Sequence, residues 1–169
     1  RRVLFRSFTW SDDLCSSDPS KYIKNSYCFD LERAIDPNPF SARKFCINIS
    51  GNKFSKHKNE LYSMRLDLIK WFEKCHPGEL DLYGQDWDRV LITGRRVFRS
   101  LNRIPSIGRL LFKIKPRSSY AGRAQSKMDT LSKYKFSICF ENAHGFNGYI
   151  TEKIIDCLLA KTIPIYLGA

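Results

Sequence analysis

The chain has 169 residues, 43% of them hydrophobic and 14% aromatic, enough for one domain with a core and inconsistent with a disordered or low-complexity chain. Lys and Arg number 29 against 17 Asp and Glu, a formal net charge of +12, so the expected partners are anionic: phosphorylated substrates, an acidic membrane surface or nucleic acid. No apolar run approaches the roughly 18–20 residues of a membrane span.

Residues 2–7 resemble a translated sequencing-adaptor end, so 1–7 are a candidate artefact and stay out of the fold reasoning. Residues 8–43 show no clear period and carry Pro19, Pro37 and Pro39 among scattered Ser and Asp. Residues 1–43 therefore read as an irregular lead-in segment or interdomain linker. Order begins at 44–50, where alternating apolar positions predict a strand, followed by a turn at Gly51-Asn52. Residues 59–75 predict a helix with a stripe of Leu61, Met64, Leu68, Ile69, Trp71 and Phe72, stopped by His76-Pro77-Gly78. A second strand is expected at 79–84. A strand, helix and strand in this order, joined by short connections, imply a parallel sheet.

The stretch from Arg89 to Lys127 contains no acidic residue. Arg95, Arg96, Arg99, Arg103, Arg109, Lys113, Lys115, Arg117 and Arg123 lie within it, interspersed with Phe98, Leu101, Ile104, Leu110, Leu111 and Phe112. It reads either as a solvated basic face or as a basic amphipathic surface for an anionic membrane. A nucleic-acid-binding role is the rival from a different class, but Phe98, Phe112 and Tyr120 are too few for a stacking platform. Further on, a helix is expected at 124–134, a strand at 135–141, a loop at 143–148, a helix at 152–161 and a strand at 163–167. The class is α/β with a Rossmann-like parallel sheet, the domain running over residues 44–169.

The six cysteines, at 15, 28, 46, 75, 139 and 157, form no CxxC pair, and free, buried, reduced thiols are expected. His57, His76 and His144 show no metal-ligand spacing, so no metal site is expected. In an open parallel sheet the ligand site lies beyond the carboxyl ends of the strands. The segment from Glu141-Asn142 to the helix beginning near Thr151 forms such an edge. Lys153, in the first helical turn, opposes the helix dipole at about 0.3–1 kcal/mol unless an anion is near. Lysine and helix N-terminus together suit a phosphate, and on this reasoning Lys153→Gln leaves thermal stability unchanged or slightly raised. Glu152 suits the dipole and can accept bonds from sugar hydroxyls. The same two residues also read as a surface Glu-Lys pair.

Residues 134–169, YKFSICFENAHGFNGYITEKIIDCLLAKTIPIYLGA, resemble the signature of the α1,3-fucosyltransferases, glycosyltransferase family 10, most closely the bacterial members. The matching elements are Phe140-Glu141-Asn142, Tyr149-x-Thr151-Glu152-Lys153, an apolar helix, and Pro164 followed by Gly168. Phe8-Thr9-Trp10 resembles the family's F-x-W, and residues 59–84 its helix followed by a D-(V/L)-(Y/F)-G strand end.

The resemblance implies the donor-binding C-terminal half of a two-domain GT-B enzyme, truncated and incomplete at its C-terminus, and inactive alone. The implied reaction is inverting transfer of fucose from GDP-fucose to a GlcNAc- or Glc-containing oligosaccharide acceptor, in glycan biosynthesis or protein glycosylation. Arg65 and Lys153 would hold the pyrophosphate, and Asn142, Tyr149 and Glu152 would contact the nucleotide or the fucose, with no cofactor and no metal. Glu141 is read as structural. The general base would lie in a preceding domain, so no residue here takes that role. A transferase using another nucleotide sugar is the remaining enzymatic alternative. A bacterial-like protein would be cytoplasmic and peripheral at the inner membrane. A Golgi type II membrane protein stays open as well.

Overall fold

The computed structural model describes residues 6–25, 38–88 and 117–168. Its centre is a five-stranded, wholly parallel sheet. The strands are β3 (Lys44–Ile49), β4 (Leu80–Tyr83), β5 (Tyr120–Gly122), β6 (Tyr134–Ile138) and β7 (Ile163–Ile165), in spatial order β5-β4-β3-β6-β7. The chain therefore starts in the middle, builds outward through β4 and β5, and resumes on the other side of β3 with β6 and β7. Such a reversal between β3 and β6 is the switch point of a doubly wound sheet.

Helices cover both faces. Along β3, Cys46 points to one side and Ile47 to the other, as the two-residue period of a strand requires. Cys46 joins a core of Leu80, Leu82, Ile138, Phe140 and Trp87 under Ile69 and Phe72 of α2 (Tyr62–Cys75). Ile47 joins Leu131 of α3 (Lys127–Leu131), Tyr134, Cys139, and Cys157 and Ala160 at α4 (Glu152–Leu159). Burying each large aliphatic or aromatic side chain contributes about 1.5–3 kcal/mol, so the two-sided core is the main support of the sheet.

The sequence-based elements are found with shifted ends and with additions. Strands 44–50, 79–84, 135–141 and 163–167 are β3, β4, β6 and β7. The helix expected at 59–75 starts at Tyr62, because the Glu60 carboxylate accepts from the backbone N–H groups of Tyr62 (2.6 Å) and Ser63 (3.1 Å) and caps it there. The helix expected at 124–134 is shorter: Ser126 caps it by accepting from Asp129 N, and it ends at Leu131. β5 was not anticipated.

Nor is the segment before residue 44 irregular throughout. β1 (Ser7–Thr9), α1 (Asp12–Ser17) and β2 (Tyr22–Lys24) form a small parallel βαβ unit. Ser11 caps α1, and Asp12 and Asp13 suit its first turn. The Ser and Asp residues that read as linker composition are the caps of this unit. Ser7, inside the candidate artefact, pairs with Tyr22 in it.

Among the described cysteines all are free; Cys46, Cys139 and Cys157 are buried as expected, whereas Cys75 is exposed and Cys15 half-buried. Cys28 and residues 95–116 of the basic run lie outside the described residues. Arg117, from the same run, is paired with Glu73 at 2.7 Å and lies over the Trp87 ring. Its charge serves the packing of β5 on α2. No described helix is long and apolar enough to cross a membrane.

Candidate functional site

A cleft of about 200 Å³ opens at the carboxyl ends of β3 and β6, at the switch point. Asn48, Ser50, Arg65, Asn142, Glu152 and Lys153 line it, together with Lys53 and Lys127. Its floor is held by Asn48, whose buried amide donates to Ile138 O at 2.9 Å and ties the ends of the two strands together. Behind the lining residue Ser50, Gly84 has φ +137° and any Cβ there would lie 1.9 Å from Ser50 O, so glycine is required for β4 to approach the β3 loop this closely.

Two helix N-termini meet at the cleft and differ in one respect. The first turn of α2 is capped by Glu60. Among the described residues no side chain caps the first turn of α4, whose N-cap is Thr151 and whose residues Glu152 and Lys153 line the cleft. An uncapped helix start carries about half a positive charge and donors without intrahelical partners.

Arg65 lies on the buried face of α2, in line with Leu61, Ile69 and Phe72, at a position where the helix pattern calls for an apolar side chain. It is only 4% exposed. Its Nη2 donates to Phe140 O (2.8 Å) and Glu141 O (3.1 Å) at the end of β6. Its Nε is buried and has no hydrogen-bond partner among the described residues. Burial pushes the guanidinium down from its ordinary value, while Tyr62, Glu141 and Glu60 favour its charged form.

Lys153 has an anion beside it within the protein itself. Its Nζ lies 2.6 Å from Glu141 Oε2, and the Glu141 carboxyl group is completely buried. The cost of a lysine at a helix start is therefore met by Glu141. This removes the ground for expecting Lys153→Gln to be neutral or stabilising, because losing the ammonium would strip a buried carboxylate of its counter-ion.

Four of the five site residues expected from sequence, Arg65, Asn142, Glu152 and Lys153, line the one cleft. Asn142 also accepts Leu61 N at 3.0 Å, and His144 N donates to Asn59 O at 2.9 Å, so the loop after β6 is fastened to the lead into α2. Tyr149 is not among the cleft residues. Its ring packs at 4.8 Å from Trp10 and 6.5 Å from Phe146, docking the 143–149 loop on the β1-α1-β2 unit. Gly148, at φ +81°, permits that docking: a Cβ there would meet Lys24 Nζ at 2.5 Å and Trp10 O at 2.6 Å.

Sequence reasoning missed Lys53 and Lys127. Lys53 follows the turn after β3, and the loop after the first strand of such a sheet always borders the switch point, which was the available signal. Lys127 is tied to Asp156 of α4. Among the described residues no group of three or more His, Cys, Asp or Glu is placed to hold a metal ion. The cations in reach of a ligand here are Arg and Lys side chains.

The same part of the chain is similar to known proteins. Residues 103–169 match the family described as "Glycosyltransferase family 10 (fucosyltransferase) C-term". A stretch of 53 residues is 49% identical to "Alpha-(1,3)-fucosyltransferase FucT" of Helicobacter pylori, covering 31% of this chain and 11% of that protein. Among solved structures, an α1,3-fucosyltransferase matches at 24% identity and a TM-score of 0.43, over 75% of this chain and 25% of the other. An α1,3-fucosyltransferase with GDP matches at 26% and 0.45, over 75% of this chain and 26% of the other. The form with GDP-fucose gives 24% and 0.42, over 75% and 26%. The chain thus spans about a ninth of the curated relative's length and a quarter of the length of the solved structures. Residues 103–169, which contribute β6, the 141–153 segment, α4 and β7, are thus similar to the C-terminal part of glycosyltransferase family 10, the fucosyltransferase family.

Proposed function

We propose that this chain is the donor-binding portion of an α1,3-fucosyltransferase of GT-B architecture, and that the cleft between β3 and β6 takes the diphosphate of GDP-fucose. The observation that carries this reading is the convergence of an uncapped helix start with two cations, Arg65 and Lys153, at the switch point of the sheet. One of those cations keeps a buried N–H without a partner among the described residues, as a group awaiting a ligand acceptor would.

The chemistry follows from charge. The sugar–phosphate bond breaks with negative charge growing on GDP and positive charge on the sugar carbon. Arg65, Lys153 and the α4 N-terminus, fixed before the reaction, stabilise the leaving diphosphate without reorganising. Asn142 and Glu152 border the same cleft and take the sugar or ribose hydroxyls. Inversion at the anomeric carbon requires a base on the acceptor side, placed on another domain of the enzyme, and an oligosaccharide with GlcNAc or Glc is the acceptor. In this reading no metal takes part, and the basic run at 95–123 draws the enzyme to an anionic membrane face where glycans are assembled.

Titration with GDP in EDTA, followed by amide and Arg side-chain NMR, tests the donor site at any affinity up to the millimolar range. The expected result is a shift of the Glu152–Ile154 amides and of Arg65 Nε. GDP that perturbs neither, or does so only after manganese is added, contradicts the proposal.

A further inference from the structure

We infer that Glu141 is the positioning residue of this site, one side chain and one carbonyl that together set both cations and the start of α4. The inference rests on the donor-site reading above and goes beyond it, since Glu141 itself does not line the cleft.

The geometry is a closed set of bonds. Glu141 Oε1 accepts from Thr151 N (2.8 Å) and lies 2.9 Å from Thr151 Oγ1. Oε2 accepts from Lys153 Nζ at 2.6 Å and lies 2.7 Å from the same hydroxyl, which in turn lies 2.7 Å from Lys153 Nζ. The backbone carbonyl of Glu141 accepts from Arg65 Nη2, and its N–H donates to Leu167 O at 2.8 Å. On the remaining side a Cβ at Gly168 would lie 2.6 Å from Glu141 Cγ, so the absence of a side chain at 168 is what admits the carboxylate. Glu141, Thr151, Lys153, Arg65 and Leu167 are thus one hydrogen-bonded unit with Glu141 at its centre, and Gly168 leaves the space that it occupies.

Only a carboxylate fills this place. Both of its oxygens face donors, and an amide must turn an NH₂ group toward either Thr151 N–H or Lys153 Nζ. Glu141→Gln therefore removes the counter-charge of Lys153 in either orientation, together with one of these two bonds, and releases the ammonium from its fixed position while leaving volume and shape nearly unchanged. A cation held in the bound position before the ligand arrives loses less freedom on binding, so the release weakens diphosphate binding specifically.

The test is a double-substitution cycle on this chain, with GDP and guanosine as probes. Glu141→Gln is expected to weaken GDP about tenfold, the size of one lost charge-assisted contact, and to leave guanosine within about twofold. In a Lys153→Met background the same change is expected to add less than about twofold for GDP. Equal losses for GDP and guanosine, a full loss persisting in the Lys153→Met background, or tighter GDP binding each overturn the inference. If Glu141→Gln does not fold, Thr151→Val decides: it removes the hydroxyl linking both carboxylate oxygens to Lys153, and the expected result is a GDP-specific loss of about threefold. Unchanged GDP affinity in that variant also overturns it. If Lys153→Met alone leaves GDP affinity intact, the donor-site reading is what fails.

Discussion

Lys153→Met should destabilise the fold, although the residue sits in a helical turn whose dipole disfavours a cation. Its Nζ is the ammonium 2.6 Å from a carboxylate that solvent does not reach, and the lysine side chain is itself only 21% exposed. Removing one partner of a buried ion pair costs about 3–5 kcal/mol. Two effects reduce this figure. Thr151 still offers its N–H and hydroxyl to Glu141, and relief of the unfavourable dipole interaction returns about 0.3–1 kcal/mol. The net expectation is a loss of about 2–3 kcal/mol, or about 5–10 °C in Tm for a chain of this size. Urea unfolding monitored by tryptophan fluorescence measures it, with Lys70→Met as the control, since Lys70 makes an exposed i,i+3 pair with Asp67 that contributes at most about 1 kcal/mol. If Lys153→Met is as stable as the parent chain, Glu141 does not depend on Lys153 and the described pairing is wrong.

Other substitutions test the frame around the site. Gly84→Ala should cost roughly 3 kcal/mol or more, because it combines a strained φ with a Cβ driven into Ser50 O; the urea midpoint reports it, and a neutral result contradicts the close approach of β3 and β4. Lys161 follows α4 at φ +51°, so Lys161→Gly should stabilise by about 0.5–1 kcal/mol, whereas a loss would mean that its backbone conformation is wrongly assigned. Exposed Cys75 should react with a thiol reagent in the native state. Cys46, whose thiol burial pushes up to about 12, should react only on unfolding. Mass spectrometry after brief alkylation separates the two.

The sheet was legible because its strands are short apolar runs closed by turn residues, and because their order with the helices dictates a parallel arrangement. β5 was not, since Tyr120-Ala-Gly122 is too short and too weakly apolar to stand out from a basic run. The β1-α1-β2 unit escaped for a related reason: its buried surface is small, so its strands carry no strong apolar signal and its caps look like linker. At the site, Arg65 could be nominated from the family resemblance but its burial could not, because an arginine in a helix reads as solvent-facing unless its place in line with Leu61, Ile69 and Phe72 is weighed. The partner of Lys153 was hidden by distance along the chain. Glu141 ends the approach to the loop after β6, and only the folded turn brings its carboxylate back under the start of α4. Tyr149, adjacent in sequence to the site motif, packs on Trp10 instead, which no local pattern announces.

The central claim is that the open start of α4, Arg65 and Lys153 form one diphosphate site at the switch point of the sheet. A crystal structure of this chain grown with GDP in EDTA tests it most directly. The account predicts phosphate oxygens within about 3 Å of Arg65 Nε, Lys153 Nζ and a first-turn amide of α4, with Glu141 unmoved beneath them. GDP bound elsewhere on the chain, with Arg65 Nε and the α4 amides untouched in a fully occupied complex, would contradict it.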